Sequence, residues 1–263
     1  MTTNIEKYLN SLSKNISTIV ISWQNIKSLP DLTRFKNLEE LYCNNNQLTC
    51  LPTLPKNLKL LYCHNNQLTC LPTLPKNLKK LHCDNNQLTC LPTLPKNLKL
   101  LYCYHNQLSS LPTLPKNLNE LYCHNNQLSS LPTLPKNLNE LYCHNNQLSS
   151  LPTLPKNLTG LSCSNNQLNH LSTLPKNITS LYCDNNPIYK IVTSNSVSQI
   201  KKNIQILNNF RHLYYCLKFK KQLRKWLWEK VREPIIMKKY HPNYLIKNLG
   251  DEDDLDIFLN NWK

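Results

Sequence analysis

The chain has 263 residues, a formal net charge of +16, 17 Pro, 12 Cys and only 2 Gly, no Ala at all, and Leu and Asn as its two most repeated residues. This excludes a disordered chain, which needs low aliphatic content, a collagen, which needs far more Gly, and the glycine-rich phosphate loops of Rossmann or P-loop enzymes. Such dominance by a few residue types points to an internal repeat.

The opening residues Met1 to Lys7 carry no long apolar run behind a basic segment, so no secretory signal is expected. No stretch reaches the ~20 apolar residues of a membrane-spanning helix. An intracellular location follows as the expectation. Thr3 and Glu6 form a capping-box pattern, and Ile5, Tyr8, Leu9 and Leu12 follow at helical spacing. Residues 1–15 are therefore predicted to be a helical cap.

From residue 16 to 190 a 20-residue pattern repeats. Its form is Leu58-x-x-Leu61-x-Cys63-x-x-Asn66-x-Leu68-x-x-Leu71-Pro72-x-Leu74-Pro75, returning from Leu38, Leu58, Leu78, Leu98, Leu118, Leu138, Leu158 and Ile178. A degenerate first copy holds Ile16, Ile19, Ile21 and Ile26, with Gln24 where Asn belongs, which makes nine units. Apolar and polar residues alternate around Leu61 and Cys63, as a strand with one buried face requires. One unit is too short to bury that face alone, so neighbours must stack into a parallel sheet. Two prolines per return segment remove backbone donors and disfavour helix, so that segment is predicted to be extended or polyproline-like.

This pattern resembles the leucine-rich repeat. The resemblance implies a right-handed superhelical solenoid with a concave parallel sheet, and an asparagine ladder at Asn46, Asn66, Asn86, Asn106, Asn126, Asn146, Asn166 and Asn186 that satisfies buried backbone groups. The short Leu-Pro-x-Leu-Pro form is similar to the repeats of certain bacterial effectors. Some of those carry a ubiquitin-ligase domain with a catalytic cysteine. Here the only cysteine outside the repeats is Cys216, and the tail is too short for such a domain, so that activity is not carried over. The absence of Ala, the repeated Cys, and the tail around Arg224, Trp226, Trp228, Pro234 and Met237 resemble uncharacterised leucine-rich repeat proteins of giant, mimivirus-like viruses of amoebae, which implies the host cytoplasm as the location.

Residues 191–263 are predicted to be a basic α-helical segment. Phe210, Leu213, Leu217, Leu223, Leu227 and Val231 form an imperfect apolar stripe, interrupted near Lys220, on a helix that ends before Pro234. A last helix is expected where the acidic residues Asp251 to Asp254 precede Leu255, Phe258, Leu259 and Trp262. Basic residues outnumber acidic ones 17 to 8 in 1–190 and 14 to 7 in the much shorter tail. The tail either caps the solenoid with a solvated basic face or contacts a membrane surface, a calmodulin-like protein or nucleic acid.

On the sheet, one outward column reads Tyr42, Tyr62, His82, Tyr102, Tyr122, Tyr142, Ser162, Tyr182. Two residues on, a second reads Asn44, His64, Asp84, Tyr104, His124, His144, Ser164, Asp184. Tyr suits partner binding because it offers rigid area and a hydroxyl, although duplication of a good strand residue explains the column too: residues 111–130 and 131–150 are identical. Glu120 and Glu140 stand where Leu60, Lys80 and Leu100 stood, turning the surface acidic. The candidate ligand-binding residues are thus Tyr62, His64, Tyr102, Tyr104, Glu120, Tyr122, His124, Glu140, Tyr142 and His144.

Alternation places His64, His124 and His144 on the opposite sheet face from Cys63, Cys123 and Cys143, so they share no tetrahedral metal site with them. The cysteines of that column read as small buried apolar groups rather than disulfides. Cys50, Cys70 and Cys90, replaced by Ser in later copies, read as a tolerant, partly exposed position. A further column, Lys36 to Lys176, serves solubility or tracks phosphates. No nucleophile elbow, paired acid–base motif or phosphate loop appears, so the sequence assigns no catalytic residue, metal or cofactor. The reading is a non-catalytic protein or peptide binder; the alternative is nucleic-acid or anionic-membrane association through the basic tail and the Lys column.

Overall fold

The computed structural model describes residues 4–192, 194 and 196–234. Thr3 of the capping box, the distal tail from Met237, and the helix expected after Asp251 lie outside these residues.

The chain forms two compact units, Met1–Gln205 and Ile206–Lys263. In the first, helix α1 (Asn4–Ser11) precedes nine strands. These are β1 (Thr18–Val20), β2 (Glu40–Tyr42), β3 (Leu60–Tyr62), β4 (Lys80–His82), β5 (Leu100–Tyr102), β6 (Glu120–Tyr122), β7 (Glu140–Tyr142), β8 (Gly160–Ser162) and β9 (Ser180–Tyr182). All nine lie in one parallel sheet in chain order, and from β2 onward each residue pairs with its counterpart 20 positions later, Leu61 with Leu81 and Leu81 with Leu101. The repeat therefore sets the register as well as the fold: a one-residue slip would turn every central Leu out of the core.

Leu41, Leu61, Leu81, Leu101, Leu121 and Leu141 are fully buried, with Cys43 to Cys143 and Leu48 to Leu148 beneath them. The return segments hold neither helix nor strand and close with a tight turn at each Pro-Lys-Asn, where the Leu58 N–H donates to the Pro55 carbonyl at 3.2 Å. On their surface Asn57, Asn97 and Asn117 donate to the carbonyls of Lys36, Lys76 and Lys96.

The paired asparagines have separate tasks. The first of each pair takes a left-handed backbone, with φ of 54° at Asn45, 52° at Asn65 and 53° at Asn125. Asn tolerates that region better than other side chains with a Cβ. Two units place another residue at this turn: Trp23 (φ 62°) in the degenerate first copy, which pairs with β2 at an offset of 22, and His105 (φ 49°) in the fifth. The second of the pair is the ladder residue. Asn126 Nδ2 donates to the carbonyls of Cys103 and Cys123 at 3.1 Å and His124 at 3.2 Å, while its Oδ1 accepts from Leu108 N–H at 2.9 Å. Asn46 completes the degenerate first unit, donating to the Ile21 carbonyl and accepting from the N–H groups of Gln24 and Ile26.

At the N-terminal end α1 buries Leu9, and the Arg34 guanidinium donates to Asn10 Oδ1. Phe35 and Leu32 fill the interior of the longer first connection. After β9 come α2 (Tyr189–Val192) and the long helix α3 (Val197–Lys218). Within the first unit α3 buries Ile200 and Ile204, and Lys201 Nζ donates to the carbonyls of Lys176 and Ile178. These turns cap the last repeat as α1 caps the first, and Lys201 also satisfies two of its carbonyls.

In the second unit α3 ends at Lys218, Phe219 forms a turn, and α4 (Lys220–Leu227) runs into a π-helical turn at Trp228–Arg232. The break falls at the interruption expected near Lys220. Ile206, Phe210 and Leu213 are exposed on α3.

Candidate functional site

The strands project two files of side chains from the exposed face of the sheet, because residues two apart share a face and the register is unshifted. In the first file Tyr42 stacks on Tyr62 with ring centroids 4.9 Å apart, Tyr62 on His82 at 4.2 Å, and Tyr102 on Tyr122 at 4.3 Å. His82 and Tyr102 are tilted at 4.4 Å, as are Tyr122 and Tyr142 at 4.5 Å. The file runs through six strands and ends at Ser162, which is buried. The second file is shorter: Tyr104 stacks on His124 at 4.4 Å and His124 on His144 at 4.2 Å. His144 Nδ1 pairs with Ser162 Oγ at 3.0 Å, joining the two files.

Both acidic residues read from the sequence are held by tyrosines one strand earlier. Tyr102 donates to Glu120 Oε2 at 2.8 Å, and Tyr122 donates to Glu140 Oε2. Burial, then the neighbouring carboxylate, raises both phenol pKa values, so the hydroxyls remain donors at neutral pH. Gly160 follows in the slot of Glu120 and Glu140, which leaves the next position of that column without an acid.

All ten candidate residues project from this face and are half-buried. The structure gathers Tyr102, Glu120, Tyr122, Glu140 and Tyr142 into one continuous patch, with Tyr104, His124 and His144 beside it. Tyr62 and His64 lie two strands away, against His82. Burial, with His144 and His105 adding to it, lowers the His124 pKa to about 4 and keeps the ring neutral.

Sequence reading did not assign His82 and Asp84 to a site. His82 is the single imidazole in the tyrosine column, and Asp84, two residues on, is 2% exposed. Ligand atoms of His64, His82 and Asp84 lie within 4.8 Å of one another. The signal was present for His82 as a break in the tyrosine column, whereas the second column varies from unit to unit and does not single out Asp84. The eight column cysteines line the opposite, buried face and are free. Burial raises the thiol pKa to about 12 at Cys43 and Cys123, whereas Cys50, Cys70 and Cys90 are exposed.

Models of paired leucine-rich repeats match residues 96–136 and 116–156, and a single leucine-rich repeat model matches residues 37–58. Among solved structures the chain is similar to YopM, a leucine-rich effector of Yersinia pestis, at 39% identity over 65% of this chain and 49% of that one, with a TM-score of 0.61. It is similar to the leucine-rich repeat domain of a Shigella effector at 32% identity, covering 64% of this chain and 75% of that domain, with a TM-score of 0.53. The functional domain of InlJ from Listeria monocytogenes, which includes a cysteine ladder, is 27% identical over 71% of this chain and 47% of that one, with a TM-score of 0.52. The chain spans about half the length of the Yersinia proteins it matches. No curated protein sequence matches it significantly.

Proposed function

Because this chain belongs to the leucine-rich repeat family, a fold commonly used for protein–protein interaction, we propose that it acts without catalysis, by recognising a protein or peptide on the exposed face of its sheet. The observation that carries this reading is the patch from Tyr102 to Tyr142, where rings in stacked and tilted contact are braced by hydroxyl–carboxylate bonds. Rings held in this way lose little entropy on binding, and rigid aromatic groups are frequent anchors in interfaces. Glu120 and Glu140 bias the patch toward a partner with basic groups among its contacts.

The test replaces Tyr102, Tyr122 and Tyr142 together by Ser, the residue that Ser162 supplies at the same position. Loss of partner co-purification with an unchanged circular dichroism spectrum supports the reading. Unchanged capture of the same partner by the triple variant counts against it.

The alternative, nucleic-acid or membrane contact through the tail, draws on the exposed Lys220, Lys221, Lys225 and Trp228 of α4 and the turn after it. Among the described residues no helix is long and apolar enough to cross a membrane. Binding of the full chain to DNA, RNA or anionic vesicles that falls steeply with salt would favour this alternative. The intracellular setting and the giant-virus lineage rest on sequence features alone.

A further inference from the structure

We propose that His64, His82 and Asp84 form a binding site for a divalent transition-metal ion of the zinc class, three protein ligands leaving one position open on the exposed face of the sheet. This inference is independent of the protein-recognition reading.

The geometry is specific to one place in the repeat. Asp84 follows β4 and is almost fully buried, with the Tyr104 hydroxyl beside its carboxylate, yet its Oδ1 makes no hydrogen bond within 3.5 Å. His64 Nδ1, one strand earlier, is likewise buried and unpartnered. A buried polar atom left without a partner is costly, and native structures rarely tolerate two side by side. His82 completes the set, and the three ligand atoms lie within 4.8 Å of one another. Zinc bonds of about 2.0–2.2 Å place tetrahedral ligands roughly 3.4 Å apart, so small side-chain rotations close the site.

The surrounding groups orient these ligands. Asn85 Nδ2 donates to Asp84 Oδ2 at 3.1 Å, leaving Oδ1 free to coordinate. Tyr62 stacks on the His82 ring with planes 21° apart, which holds the plane of that ring. Outer contacts of this kind are what fixes metal ligands in place.

Two imidazoles with one carboxylate favour zinc-class ions over calcium or magnesium, which prefer all-oxygen shells. The other histidine cluster lacks this arrangement. His124 and His144 stack with planes 15° apart and His124 Nδ1 is also buried without a partner, but among the described residues no third ligand atom joins them.

The test is titration of the full chain with Co2+, followed by displacement with Zn2+. Cys50, Cys70, Cys90 and Cys216 are changed to Ser to remove competing thiols; Ser110, Ser130 and Ser150 already occupy the first position in later copies. We expect one equivalent of Co2+ with visible bands of a four-coordinate ion, displaced by Zn2+. His82→Tyr and Asp84→Asn each install the residue found at that position in another unit, Tyr62 and Asn44, so the fold is retained, as circular dichroism checks. Each should weaken binding at least about 100-fold, more than loss of an outer contact does, while His124→Asn leaves it unchanged. No binding by the parent, equal binding by the His82 and Asp84 variants, or equal loss with His124→Asn would overturn the assignment.

Discussion

The Tyr102 hydroxyl donates to Glu120 Oε2 at 2.8 Å, tying β5 to β6 on the exposed face of the sheet. Tyr42, by contrast, bonds Glu40 within its own strand at 3.2 Å. The cross-strand form arises where Glu occupies the slot that holds Leu100 one unit earlier. Tyr102→Phe keeps the ring on Tyr122 and removes only the hydroxyl, and should cost about 1 kcal/mol in urea unfolding. A double-mutant cycle with Glu120→Gln should return a coupling of similar size. Strict additivity would show that the bond contributes nothing.

The two asparagines of each pair should respond differently to Gly. Asn125 holds a φ of 53°, and its half-buried side chain makes only solvent-exposed bonds, to His105 and Asn145; Asn125→Gly loses these but relieves the left-handed conformation, so stability should stay within about 1 kcal/mol of the parent. Asn126→Gly removes three donated bonds and one accepted bond and should cost about 3 kcal/mol or more. Equal losses in chemical denaturation would refute the division of roles.

Thiol chemistry should divide the cysteines by face. Alkylation of the native chain, read by peptide mass spectrometry, should modify Cys50, Cys70 and Cys90 while sparing Cys43, Cys63, Cys83, Cys103, Cys123, Cys143, Cys163 and Cys183. The spared thiols are buried, and burial raises their pKa, so neither access nor thiolate is available. Prompt modification of Cys123 under native conditions would contradict the packing.

His124 should make stability depend on pH. Its pKa falls from the ordinary 6.5 to about 4, through burial first and then His144 and His105 beside it. As pH drops through 6.5 the unfolded chain takes up a proton that the folded chain refuses until about pH 4. The unfolded state is then favoured, so stability falls across this window. His124→Asn, with the residue that Asn44 supplies in the same column, should flatten the slope between pH 7 and pH 5. The same slope in both chains would place the titration elsewhere.

Much of this was legible because repetition multiplies each local signal. Leu61 and Cys63 alternate as a half-buried strand, and their return every 20 residues leaves stacking as the one way to bury that face. The ladder role of Asn66 followed from the family resemblance. The left-handed turn at Asn65 did not, since an Asn beside an Asn gives no sign of which one turns the chain. Tyr102, Tyr122, Glu120 and Glu140 were legible as neighbours on one face. Their hydrogen bonds were not, because alternation orders residues along a strand and is silent about reach between strands.

The sequence by itself determined the solenoid, its register and its buried cysteine column, since these follow from period, burial and the need of each unit for a neighbour. Only the tertiary structure decided that His64 on one strand meets His82 and Asp84 on the next. That meeting depends on side-chain direction across a gap between strands, where ring stacking and the Asn85 contact select the rotamers and periodicity carries no information.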